Sequence, residues 1–148
     1  MIDFPEPALE TNRVLREYLA IQNRLFRFSF KKALGFIRPD PLAAARDVAP
    51  LRERLRGVRE GIKELNPSED SQRRFLMALR AYVREMDRAM GVFQELCHTL
   101  EEHKKDRKYR KEGYPRDMKH FQESEAQYLE IGLSLNEIAR SDEATKSG

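Results

Sequence analysis

The chain of 148 residues has no tryptophan, a single cysteine, and only seven glycines and seven prolines. One cysteine cannot form an internal disulfide, so nothing in the sequence indicates an oxidising compartment. No stretch approaches the roughly 18 consecutive apolar residues of a transmembrane helix. The first residues, MIDFPEPALETN, are acidic and contain proline, unlike a signal peptide. We therefore expect a cytoplasmic protein with no integral membrane segment.

Apolar residues instead form a long heptad pattern in the middle of the chain. Their spacings alternate between four and three residues, which keeps one stripe of a helix facing a partner helix. A second stripe beside it has a strict seven-residue spacing, and the two together are wide enough for a bundle core. The first stripe is Phe75, Leu79, Tyr82, Met86, Ala89, Phe93, Leu96 and Leu100, and the second is Leu76, Val83, Met90 and Cys97.

Prolines, glycines and capping residues divide the chain into four segments of helical pattern. Pro39 disfavours helical geometry at the residue before it, and Asp40 followed by Pro41 suits a new helix start. Gly113 and Pro115 predict a tight turn. The predicted helices are about 8–37, 41–65, 67–111 and 115–140, followed by a flexible tail at 141–148.

These segments predict an all-α fold with the whole chain, 1–148, in a single domain. Short connections favour antiparallel neighbours, so we expect an up-down-up-down four-helix bundle with a long third helix. The charged residues 101–112 would form a hairpin end between helices three and four. The heptads of helix two continue through Pro50, which predicts a kink or local break there and not a domain boundary.

Charge is distributed unevenly, although the formal net charge is only +3. Residues 8–38 carry seven basic and two acidic side chains, whereas residues 114–143 carry three basic and seven acidic ones. Two interpretations are open. The basic face of helix one, which includes Arg27 and Lys31, pairs with acidic helix four, or it binds an anionic partner.

A second basic cluster contains six basic residues within eight positions, 104–111. Such a cluster suits several phosphate contacts, and Tyr109 within it could stack on an exposed base. The alternative is a solvated helix end, where cations complement the helix dipole, but that accounts only for the last four bases. The cluster is Lys104, Lys105, Arg107, Lys108, Arg110 and Lys111.

Helix two carries a basic stripe, but an acidic stripe lies next to it. The mixture is typical of an ordinary solvated surface. The basic stripe is Arg52, Arg56, Arg59 and Lys63, and the acidic one is Glu53, Glu60 and Glu64.

Residues that could carry catalysis or hold a metal are few. Glu95 and His98 have the spacing of a di-iron bundle motif, yet the apolar stripe turns both toward solvent. Glu125 lies at the margin of the apolar face of helix four and is expected to keep its carboxylate in water. Tyr18 and Tyr128 are expected in the core with hydroxyls at the rim. We expect no enzyme, no cofactor and no metal.

The sequence therefore favours a non-enzymatic helical interaction module, such as an adaptor, small chaperone or regulator, that binds a protein partner and could also form a homodimer. The alternative is non-specific nucleic-acid binding through residues 104–111. A third hypothesis is peripheral attachment to an anionic membrane through helix one. The predicted partner-binding residues are Arg27, Lys31, Lys104, Lys105, Lys108 and Arg110.

Overall fold

Four long helices account for most of the molecule. The computed structural model describes the backbone of residues 5–33 and 40–147 and the side chains of 5–26 and 40–140. These ranges contain helices and no strand, which confirms the predicted all-α bundle. The helices are α1 Glu6–Ala33, α2 Pro41–Glu64, α3 Asp70–Glu102 and α4 Tyr114–Ser147, and a π-helical segment, Tyr109–Gly113, leads directly into α4.

Apolar heptads build the core as predicted. Ten of the twelve residues in the two stripes of α3 are buried, and Phe75 and Leu100 at the two ends of the first stripe are partly buried. Phe93 lies at the centre, with its ring 5.7 Å from that of Tyr18 and 5.7 Å from that of Phe121. Leu65, which continues the pattern of helix two, is exposed because it is the extended residue that caps the end of α2.

Side-chain contacts fix an antiparallel arrangement of neighbouring helices. Arg24 of α1 approaches Asp47 of α2. Arg54, further along α2, binds Glu10, which is earlier in α1, so the two helices run in opposite directions. Helix α3 packs against both α2 and α4.

Helix α2 passes through Pro50 without a break. Pro50 has no backbone N–H, so the carbonyl of Arg46, four residues earlier, loses its helical hydrogen-bond partner. Both side chains are exposed at this surface, so water can reach that carbonyl. The predicted local break does not occur. The predicted start does, because Asp40 Oδ1 accepts a hydrogen bond of 3.0 Å from the backbone N–H of Ala43.

The turn before helix four lies earlier than predicted. Helix α3 ends at Glu102, and the chain reverses over 103–106 instead of at 113–115. Asp106 sets this position, because its Oδ1 accepts hydrogen bonds from the backbone N–H groups of Lys108 (3.0 Å) and Tyr109 (3.2 Å), as an N-cap does. Pro115 closely follows the π-helical segment, and the helix continues through it without a break.

The last helix extends further than predicted. The backbone of α4 is helical through Ser147, across the region predicted as a flexible tail. The predicted end of the first helix, near residue 37, lies outside the described residues. Over the part of the chain that is described, no helix combines the length and apolarity needed to cross a bilayer. The single domain stays a prediction.

Candidate functional site

A groove of about 280 Å³ lies between the start of α1, the first half of α3 and the last half of α4. Two leucines four residues apart on α4, Leu129 and Leu133, lie along it with 49% and 66% of their surfaces exposed. None of its lining residues is charged, although 36% of the chain is charged. The lining is Ala8, Thr11, Asn12, Leu15, Phe75, Leu79, Tyr82, Leu129, Gly132, Leu133, Leu135, Asn136 and Ala139.

Tyr82 and Gly132 shape the inner part of this groove. A Cβ atom at position 132 would lie 3.0 Å from Cε2 of Tyr82, so the absence of a side chain at Gly132 leaves room for the ring. The same ring packs edge-on against Tyr128 at 6.0 Å. Burial raises the pKa of Tyr82 to about 12, with the nearby Glu125 carboxylate adding to the effect. The phenol is therefore neutral near pH 7, and the groove remains uncharged.

Glu125 lies on α4 one turn before Leu129 and joins α4 to α1. Its Oε1 accepts hydrogen bonds from the hydroxyl of Tyr18 (2.5 Å) and from Nε2 of Gln22 (3.2 Å), and its Oε2 accepts one from the hydroxyl of Tyr128. Glu125 is half-buried at the edge of the apolar face, as predicted, but its carboxylate binds buried side chains and not water alone, and the hydroxyls of Tyr18 and Tyr128 are not at the rim. Both tyrosines are fully buried, and a buried hydroxyl requires a partner.

The two phenols act as permanent donors to this carboxylate. Burial, and then the negative charge of Glu125, raise the pKa values of Tyr18 and Tyr128 far above the ordinary tyrosine value. Both hydroxyls thus keep their protons at any physiological pH. All three donors are engaged with the same carboxylate, so this cluster holds α1 against α4 beside the groove.

The basic cluster at 104–111, here called the basic turn, brings four of the predicted partner-binding residues together. All six basic side chains in it are exposed. Lys104 pairs with Glu101 at 2.8 Å, and Nη2 of Arg110 donates a 2.8 Å hydrogen bond to the carbonyl of Lys104. Lys105 and Lys108 make no side-chain ion pair with any described residue and point their charges into solvent.

Tyr109 does not offer its ring to a ligand, so the predicted base stacking is wrong. The ring is buried against His103, with ring centroids 4.7 Å apart, and its hydroxyl donates a 2.8 Å hydrogen bond to Asp117. A Cβ atom at Gly113 would lie only 2.6 Å from Cε2 of the same ring, and closer still to Cδ2. Gly113 therefore serves the packing of Tyr109 inside the helix, and not a chain reversal.

The predicted pairing between basic helix one and acidic helix four is not found among the described side chains. Arg13 pairs with Glu6 at 3.0 Å within α1. Arg24 pairs with Asp47 of α2 at 3.9 Å. The other two predicted partner-binding residues, Arg27 and Lys31, belong to α1, and their side chains lie outside the described set.

The residues considered for metal binding have no third ligand beside them in the described part of the chain. Glu95 and His98 are both exposed on the outer surface of α3. Within the described ranges, no three His, Cys, Asp or Glu side chains come close enough together to hold an ion. Cys97 is fully buried in the core, and burial raises the pKa of its thiol to about 12.

Sequence reasoning missed the groove. Its signal was a pair of leucines, Leu129 and Leu133, spaced one helical turn apart but beside the main apolar face of helix four. Asn12 and Asn136, which face the same groove from α1 and α4, carry no distinctive pattern.

No family model matches the chain, and neither the curated proteins nor the solved structures include a protein that matches it.

Proposed function

We propose that this protein is a non-enzymatic helical interaction module whose groove between α1, α3 and α4 binds the apolar face of an α-helix from a protein partner. The observation that carries the proposal is the uncharged groove, along which Leu129 and Leu133 remain exposed. Exposed apolar surface with a polar rim is typical of interaction sites. The single cysteine of the sequence favours action in the cytoplasm.

A helix is the occupant that fits this groove best. Helices pack by placing ridges of side chains, three or four residues apart, into grooves of their neighbours. A volume of about 280 Å³ accommodates a few apolar side chains and lies at the lower limit of small-molecule sites, which are roughly 300–1,000 Å³. Asn12 and Asn136 offer amides to polar groups along the edge of such a helix. A second copy of this chain is one protein that could supply the helix.

Site-specific photo-crosslinking in cells tests the proposal. A benzophenone side chain at position 133 should give a discrete adduct with one protein, or a dimer of this chain. The same side chain at position 77 is the control, because Met77 is 73% exposed and is not part of the groove lining. Equal adducts from both positions, or none from position 133, would contradict the proposal.

The protein identified in this way is then purified and titrated with wild type, Leu133→Glu and Met77→Glu. A buried carboxylate in an apolar contact is costly, so Leu133→Glu should weaken binding at least tenfold while Met77→Glu leaves it unchanged. If the adduct is a dimer, sedimentation velocity of the same variants replaces the titration. An affinity that does not respond to Leu133→Glu would exclude the groove.

A second candidate function is non-specific nucleic-acid binding through the basic turn. The observation that favours it is that all six basic side chains between Lys104 and Lys111 are exposed. The loss of Tyr109 as a stacking platform leaves phosphate contacts as its basis. If the basic turn is the site, replacing Lys105, Lys108 and Lys111 together by Gln abolishes binding of a nucleic-acid duplex in a fluorescence anisotropy assay, and unchanged binding excludes this candidate.

A further inference from the structure

The outer surface of α3 between residues 72 and 94 exposes five arginines and no acid. The two acids of this stretch, Glu85 and Asp87, are only 13% and 14% exposed. Glu85 lies 3.6 Å from Arg84 and 3.7 Å from Arg88, so one acid is shared by two arginines. Four of the arginines recur along one side of the helix at one- or two-turn spacing, and the first and last of them are about 22 Å apart along the helix axis. The exposed residues of the stretch are Gln72, Arg73, Arg74, Met77, Arg80, Arg84 and Arg88.

The basic stripe of α2 lies on the side that faces this row. Arg52 donates from Nε to Asp87 at 2.7 Å and from Nη1 to Gln94 at 3.0 Å, so its side of α2 is turned toward α3. Residues four, seven and eleven positions after Arg52 share that side of the helix. They are Arg56, Arg59 and Lys63.

The antiparallel packing then places the two rows side by side. Seven residues forward from Arg52 is Arg59, and seven residues back from its partner Asp87 is Arg80, so these two arginines lie at the same level of the bundle. The acids of α2 lie further round, and Glu53 and Glu60 bind Arg56 and Lys63 from that side. We name this surface the arginine face. It consists of Arg56, Arg59, Lys63, Arg73, Arg80, Arg84 and Arg88.

Two arginines on this face have unmet binding capacity. Nε of Arg59 is buried and has no hydrogen-bond acceptor among the described atoms. Arg80 is exposed and makes no ion pair with a described residue. Guanidinium groups bind phosphate oxygens through paired N–H donors, and a buried donor without an acceptor is unfavourable. An anionic oxygen at the surface between α2 and α3 would supply the ion-pair partner that Arg80 lacks.

We propose that the arginine face binds the phosphate backbone of a double-stranded nucleic acid without reading its sequence. Proteins that hold single strands combine basic grooves with aromatic platforms, and no described aromatic side chain is exposed here. Adsorption to a membrane uses inserted apolar side chains, and Met77 is the one large apolar side chain exposed along this row. A row about 22 Å long matches a continuous phosphate backbone.

The test is fluorescence anisotropy with 20-base-pair DNA and RNA duplexes across a salt series. Four phosphate contacts predict a salt slope of about −3.6, or roughly a 150-fold loss of affinity between 50 and 200 mM salt. The variant Arg80→Gln/Arg84→Gln/Arg88→Gln removes three exposed charges and should reduce the slope by about 2.7 and the affinity at least tenfold. Helical circular dichroism confirms that each variant is folded.

The matched control is Lys105→Gln/Lys108→Gln/Lys111→Gln, which removes the same charge from the basic turn. It should bind the duplex as wild type does. A loss confined to this control would assign nucleic-acid binding to the basic turn and overturn the arginine face. Equal losses in both variants, or no binding at 50 mM salt, would also overturn it.

Competitors distinguish the anionic partner. A single strand, vesicles containing phosphatidylserine, or polyglutamate that binds more tightly than the duplexes would refute the nucleic-acid assignment. The result does not depend on the groove, because Leu133→Glu should leave duplex binding unchanged. The experiments can therefore distinguish failure of the groove proposal from failure of this one.

Discussion

The hydroxyl of Tyr18 on α1 donates a 2.5 Å hydrogen bond to the carboxylate of Glu125 on α4. The two residues are 107 positions apart in the chain. Tyr128 donates to the same carboxylate from its own helix. One half-buried acid therefore satisfies two fully buried phenols and fixes α1 next to the groove.

Replacing Glu125 by alanine should destabilise the bundle by about 2–4 kcal/mol, because each buried hydroxyl left without its acceptor costs about 1–3 kcal/mol. Equilibrium unfolding in urea measures this loss. The control is Glu123→Ala, an exposed position on the same helix, which should change the free energy of unfolding by less than about 0.5 kcal/mol.

The mechanism is checked by the same substitution in a background of Tyr18→Phe and Tyr128→Phe. Without the hydroxyls, loss of Glu125 should cost much less, since contacting residues are coupled. An equal cost in both backgrounds would show that the carboxylate acts through something other than the phenols.

Gly113→Ala should destabilise the protein by about 1–3 kcal/mol, the usual effect of overpacking. The new methyl group would lie 2.6 Å from Cε2 in the ring of Tyr109, which is held between His103 and Asp117. Thermal unfolding followed by circular dichroism measures the change.

Gly57→Ala is the opposite control. Gly57 is exposed in the interior of α2, and no neighbouring atom lies within 4 Å of the place that an alanine methyl group would take. Alanine should therefore stabilise this helix by about 0.5–1 kcal/mol. If both alanines shifted stability in the same direction, crowding at Tyr109 would not be the cause at position 113.

The fold was predictable because its signals are local and periodic. The heptads of α3 are buried as the spacing requires, and Asp40 caps α2 as its place before Pro41 indicates. The turn was mislocated because Gly113 looks like a breaker in sequence, while its real role depends on the ring of Tyr109 four residues away.

The sites depend on contacts between helices that a single sequence does not reveal. Glu125 resembles any edge residue until Tyr18 of α1 is placed opposite it. The stripe of Arg56, Arg59 and Lys63 resembles a mixed solvated surface until α3 brings its own arginines to the same side. In both cases the register between helices, set by pairs such as Arg52 with Asp87, decides the chemistry.

Asp106→Asn should remove part of the loss of stability that the protein undergoes at acidic pH. The backbone N–H of Tyr109 above all, with His103 and the N–H of Lys108, holds the pKa of Asp106 below its usual value. A carboxylate whose pKa is lowered in the folded state stabilises the protein at pH values above its pKa in the unfolded state, about 3.9. This stabilisation is lost as the pH falls through its pKa in the folded state. Asparagine keeps the cap but does not titrate.

The melting temperature of wild type should thus exceed that of Asp106→Asn by a constant amount above about pH 5, and the difference should shrink as pH falls from about 4 through the folded pKa of Asp106. His103→Gln tests the cause. It leaves the backbone donors in place, so the acid-dependent difference between Asp and Asn at position 106 should persist. A difference that disappears with His103 would make the imidazole the main partner.

The thiol of Cys97 should be almost inert in the native protein. Burial raises its pKa to about 12, and at pH 8 this leaves on the order of 1,000-fold less thiolate than an ordinary cysteine has. The rate of modification by a disulfide reagent measures reactivity. The reference is a protein whose only thiol is at the exposed neighbouring position, made by His98→Cys and Cys97→Ala, and it should react at the rate of a free thiol. Urea should bring the Cys97 rate up to the reference rate as the core opens, whereas similar native rates at the two positions would place Cys97 outside the packed seam between α3 and its neighbours.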